Sequence, residues 1–111
     1  MDEMSQRKEK LSSEIKQIKI EAKENAARKD EFLEFSKQSQ LFSEEMTLYL
    51  KGSRDSKRVE NLMEEQKQLN KMVKKQLTDI ENELEFKRKK LLLEKEELDQ
   101  LHHKKEDLNE H

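Results

Sequence analysis

The sequence predicts an all-α fold, a two-helix antiparallel hairpin that completes a four-helix assembly with a partner. Three observations predict it. Proline and tryptophan are absent and glycine occurs once in 111 residues, so sheets, tight turns and glycine-rich phosphate loops are disfavoured. Apolar residues recur at three- and four-residue steps on both sides of that glycine. Charged residues make up 45% of the chain and apolar ones 31%, which leaves too little for a thick globular core. Basic and acidic residues nearly balance, 24 against 26, and this balance together with ordered apolar spacing argues against disorder.

The first element is read from about 4 to 50. Leu11, Ile15, Ile18 and Ala22 fall at steps of four, three and four, the spacing that stacks side chains on one helical face. The stripe weakens at Asn25, Ala26 and Lys29. It resumes as Phe32, Phe35, Phe42, Met46 and Tyr49, with Ser39 in the missing place.

The turn is placed at about 51–55, in the segment from Lys51 to Ser56, where helix breakers cluster. Leu50, Lys51 and Gly52 are its key residues. Gly52 can end a helix in the left-handed conformation without a Cβ clash, and Asp55 or Ser56 can accept hydrogen bonds from the first free amides of the next helix.

The second helix is read from about 56 to 108. Val59, Leu62, Leu69, Val73, Leu77, Ile80, Leu84, Leu91, Leu98, Leu101 and Leu108 keep three-, four- and seven-residue steps, close to a heptad seam. Each arm would be about 70 to 80 Å long at 1.5 Å per residue. The whole chain, 1–111, is read as a single helical-hairpin domain.

A hairpin folded at Gly52 should pair residues whose numbers total close to 104. On that rule Phe42 faces Leu62, Phe35 faces Leu69, Phe32 faces Val73, Ala27 faces Leu77, Ala22 faces Leu84, Ile15 faces Leu91 and Met4 faces Leu101. One continuous helix dimerised as a parallel coiled coil is the structural alternative. Phe32, Phe35, Phe42, Met46, Tyr49, Leu62, Leu69, Val73, Leu77, Leu84 and Leu91 are therefore the candidate core and partner interface, because clustered aromatics serve both packing and partner anchoring.

The hairpin looks too thin to stand alone. A buried Leu, Ile or Phe contributes roughly 1.5 to 3 kcal/mol, while ordering a residue costs about 1.5 kcal/mol. Surplus apolar surface points the same way: Leu41 and Leu48 on the first arm, Phe86, Leu92 and Leu93 on the second. Leu91-Leu92-Leu93 spans about 200° of a helix and cannot enter one seam whole.

Several function classes are disfavoured. The net charge of -2, with both signs mixed along each half, offers no basic face for nucleic acid. There is no run of about 18 apolar residues that could span a membrane, and the amino terminus leads into charge rather than a signal-peptide apolar region. A cytoplasmic protein is expected, with export by a route lacking a cleavable signal left open. Cysteine is absent, which removes disulfides and thiol chemistry and says nothing of compartment.

Candidate sites for chemistry read as solvated faces. His102 and His103 point about 100° apart on a helix and cannot chelate one ion in the i, i+4 manner, and His111 stands apart from both. The pairs Glu44-Glu45, Glu64-Glu65 and Glu96-Glu97 lack the desolvating pocket that acid–base work needs. The basic run from Lys87 to Lys90 is bracketed by Glu81, Glu83 and Glu85 before it and Glu94 to Glu97 after it, so salt bridging explains it. No enzyme activity, cofactor or metal is expected.

The stretch Tyr49-Leu50-Lys51-Gly52, between two helices in a chain of about a hundred residues, resembles the WXG family of small type VII secretion proteins. The glycine is in place, and Leu50 occupies the tryptophan position. The segment from Phe32 to Gly52, followed by the Glu/Lys/Leu-rich second helix, is similar to small helical proteins encoded beside LXG-type toxins in Gram-positive bacteria. The resemblance covers nearly the whole chain. It implies an adaptor or targeting chaperone that pairs with the helical amino-terminal region of the toxin, and with a second small helical protein, in a pre-secretion complex.

Secreted relatives of this kind carry an aromatic-x-x-x-acid signal late in the second helix. Here Phe86 is followed at the fourth position by Lys90, so the resemblance implies an adaptor that relies on its partner for export through the type VII system. A self-associating coiled-coil scaffold, a homo-oligomer with no secretion role, is the alternative. The breaks at Asn25, Lys29 and Ser39 speak for a partner, being costly in a long homodimeric coil.

Overall fold

A computed structural model describes residues 2–110, with side chains described for 2–105. Leu108 and His111 of the sequence reading lie outside the described side chains. The protein is an all-α hairpin of two helices, α1 from Glu3–Tyr49 and α2 from Ser56–Glu110. Helix α1 starts where Asp2 accepts a hydrogen bond from the Met4 amide at 3.2 Å, a carboxylate satisfying a free N–H at the positive end of the helix.

Helix α1 ends at Tyr49, and Leu50, Lys51 and Gly52 lie in the turn. The turn is held by backbone hydrogen bonds. Ser53 N–H donates to Leu50 C=O at 2.9 Å, and Val59 N–H donates to Asp55 C=O at 3.0 Å to start α2. Gly52 has φ 80°, the conformation expected of it, and a Cβ there would meet nothing within 4 Å. Glycine is required by backbone conformation alone and not by space.

The chain divides into two compact units, one of residues 1–24 with 81–111, the other of 25–80. In the terminal unit α1 and α2 lie antiparallel, with Leu11, Ile15 and Ile18 buried from one side and Leu84 and Leu98 from the other. Ala22 and Leu91 complete this seam, half-buried. The expected partners Ile15 with Leu91 and Ala22 with Leu84 thus all turn inward. Of the expected partners Met4 and Leu101, Met4 is half-buried and Leu101 is exposed. Lys8 closes the outer end through a 3.0 Å ion pair with Asp99.

The unit of residues 25–80 is built differently. Its α1 seam runs Asn25, Lys29, Phe32, Ser36, Ser39, Ser43 and Met46, a strict three- and four-residue alternation of half-buried or buried positions that is mostly polar. From α2 the inward residues are Val59, Met63, Asn70, Leu77 and Thr78. Asn25 is 4% exposed, and its Nδ2 donates to Leu77 C=O at 3.2 Å. Thr47 Oγ1 reaches the Met63 sulfur at 3.3 Å. These contacts fix the antiparallel register in this unit.

Candidate functional site: an uncovered apolar face

The aromatic and leucine residues expected to pair at the seam of the 25–80 unit are left largely exposed. Phe42 and Leu62 are 60% and 57% exposed, Phe35 and Leu69 are 56% and 54% exposed, and Tyr49 is more exposed still. The expected partners Phe32 and Val73 differ in the same way, Phe32 half-buried and Val73 exposed. The physical reason is one helical step. Phe32, Ser39 and Met46 belong both to the apolar stripe and to the seam. The stripe's second column is Phe35, Phe42 and Tyr49, whereas the seam's is Ser36 and Ser43, about 100° further round the helix.

Helix α2 is offset in the same sense. Leu62 and Leu69 precede the inward residues Met63 and Asn70 by one position, and Val73 and Ile80 lie between those columns. In an antiparallel pair, a one-residue step back along each chain turns toward the same side of the two-helix layer. Phe35, Phe42 and Tyr49 from α1 and Leu62, Leu69, Val73 and Ile80 from α2 therefore share one face.

The opposite side confirms the geometry. One step forward from the seam lie Gln40, Glu44 and Thr47 on α1 and Glu64 and Lys71 on α2, and these line an open groove of about 810 Å³ with Ser36, Ser43, Lys67 and Lys74. That side is polar. Small serines leave the groove open, and lysine stems close its edge.

The remaining interface candidates divide by unit. Leu84 is buried and Leu91 half-buried in the terminal unit, while Leu77, Phe32 and Met46 are half-buried at the seam of the other. Phe32 and Phe35 rings lie 6.3 Å apart, tilted at 38°, which links the seam to the exposed column. Leu41, Leu48, Phe86, Leu92 and Leu93, surplus by the sequence, are all exposed. The serine seam is the feature sequence reasoning missed, although Ser36, Ser39 and Ser43 carry the heptad spacing that could have marked it.

Charged side chains are arranged as surface pairs. Arg88 grips the Glu85 carboxylate through two hydrogen bonds, Nη2 at 2.6 Å and Nε at 2.9 Å. That hydrogen bond lowers the Glu85 pKa from its ordinary value and raises that of Arg88. Lys87 pairs with Glu83 at 3.3 Å. The basic run is thus partly neutralised by its acidic neighbours. Among the described residues no group of three His, Cys, Asp or Glu side chains is placed to hold a metal ion, and no helix is long and apolar enough to cross a membrane.

No family model matches the chain, and no curated protein or solved structure is detectably similar to it.

Proposed function

We propose that this protein is a non-enzymatic adaptor, a targeting chaperone whose apolar face in the 25–80 unit binds the helical amino-terminal region of a type VII secretion effector of the LXG type. The observation that carries the reading is that face: two arms place their aromatic and aliphatic side chains on one side and leave them to solvent. Contiguous apolar surface of this kind marks a binding site for another protein. The resemblance of Tyr49-Leu50-Lys51-Gly52 to the WXG turn supports the choice of partner. Export, on this reading, depends on the partner, because Lys90 stands where an acidic export residue belongs.

The test is co-expression with the helical region of an LXG-type toxin encoded beside this chain. Co-purification of the native chain, lost on Phe42→Asp with Leu62→Asp, is the expected result. Capture that survives both substitutions would show that the anchor lies elsewhere. A stable, cooperatively melting homodimer formed by the chain alone would support the scaffold instead.

A further inference from the structure

The turn of the hairpin brings the most exposed apolar side chains together with a cluster of bases. Tyr49 is 84% and Leu48 73% exposed, more than any other large hydrophobic side chain described. Beside them Lys51, Arg54, Lys57 and Arg58 are all exposed, and Asp55 is the one acid among them. None of the four bases is held in an ion pair by a described residue.

Helix geometry aims this charge outward. Lys57 and Arg58 lie in the first turn of α2, where side chains tilt toward the helix amino terminus and hence toward the tip. Lys51 and Arg54 belong to the turn itself. The next acids, Glu45 on α1 and Glu60 on α2, stand four residues inside the helix ends, about 6 Å back along the arms. A surface met end-on therefore touches bases first.

That order of contacts selects among anionic partners. A nucleic-acid strand tracks a basic groove over several nucleotides, and on leaving the tip it would run onto Glu44, Glu45, Glu60, Glu64 and Glu65. A bilayer surface sets negative head groups over an apolar boundary, which suits bases around a tyrosine and a leucine. Tyrosine favours that boundary because its ring is apolar and its hydroxyl wet.

We propose that the hairpin tip docks end-on against a membrane surface containing anionic lipid, its four bases against the head groups and Tyr49 and Leu48 entering the interface. The contact is peripheral, needs no spanning helix and weakens with salt. It uses the turn and stands independently of the adaptor reading.

Tyr49 is the only tyrosine and the chain has no tryptophan, so its fluorescence reports on the tip alone. The native chain is titrated with vesicles of phosphatidylcholine alone and of phosphatidylcholine with phosphatidylserine, with flotation as a second readout and circular dichroism verifying helicity. Expected are binding to the anionic vesicles only, loss of binding at high salt and protection of Tyr49 from an aqueous quencher. By flotation, Arg54→Gln/Lys57→Gln/Arg58→Gln should bind at least roughly tenfold more weakly, and Leu48→Ser/Tyr49→Ser should also bind more weakly. Lys89→Gln/Lys90→Gln, in the basic run of the other unit, should bind as the native chain does. No binding to anionic vesicles, binding that either tip variant leaves unchanged, or a Tyr49 still open to the quencher on vesicles overturns the proposal. Equal or tighter binding of a single-stranded oligonucleotide also overturns it and makes the tip a nucleic-acid site.

Discussion

Asn25 shows how one residue can hold a helical register. It is buried, and its amide donates to a carbonyl on the other arm, so a one-turn slip would strand a polar group. Asn25→Asp replaces the donor with an acceptor facing Leu77 C=O and is expected to cost about 1 to 3 kcal/mol in thermal or urea unfolding. A variant as stable as the native chain would mean that the hydrogen bond sets nothing. Gly52 acts through backbone conformation: Gly52→Ala forces a Cβ into the left-handed region and is expected to cost about 1 to 2 kcal/mol. Because nothing crowds the site, Gly52→Asn should recover part of that loss.

The Glu85–Arg88 pair has a pH signature. A carboxyl whose folded pKa is lowered contributes stability above its unfolded value and loses it as pH falls through the folded value. Both groups are exposed, so the effect is confined to acid and is small. Carboxyl titration followed by NMR should place Glu85 below the ordinary range and return it toward that range in Arg88→Gln.

At the scale of the elements, the same heptad pattern does different work in the two units. In the terminal unit the stripe is the seam: Ile15 and Leu84 are buried between the arms. Leu84→Ala should therefore cost about 2 kcal/mol or more, the low end for a cavity in so thin a core. Phe42→Ala should leave the melting temperature of the isolated chain nearly unchanged, because its ring already faces water. Equal losses from the two substitutions would place Phe42 inside the hairpin after all.

Helix boundaries were legible in the sequence to within a residue or two, because Gly52 is the only glycine and helix formers fill the rest. The seam of the terminal unit was legible too, since Met4, Leu11, Ile15 and Ile18 share one face at three-, four- and seven-residue steps. Which side of the second stripe turns inward was not legible. Spacing alone marks Phe32, Ser39 and Met46 as one edge of an apolar band but does not say whether Phe42 or Ser43 flanks the seam. The arms pack on serines, whose small side chains allow close approach, and leave the band outward.

For the molecule as a whole, the account is that folding and binding use separate surfaces. The terminal unit holds the arms together through Leu and Ile, and the 25–80 unit exposes the aromatic and aliphatic face that the proposed function assigns to binding. Substitutions on that face should consequently separate stability from binding. The most direct measurement is calorimetric titration of the helical toxin region into the native chain and into Phe42→Asp/Leu62→Asp, paired with thermal melts of both chains alone. The account predicts equal melting temperatures and binding only by the native chain. Binding retained by the doubly substituted chain would contradict it.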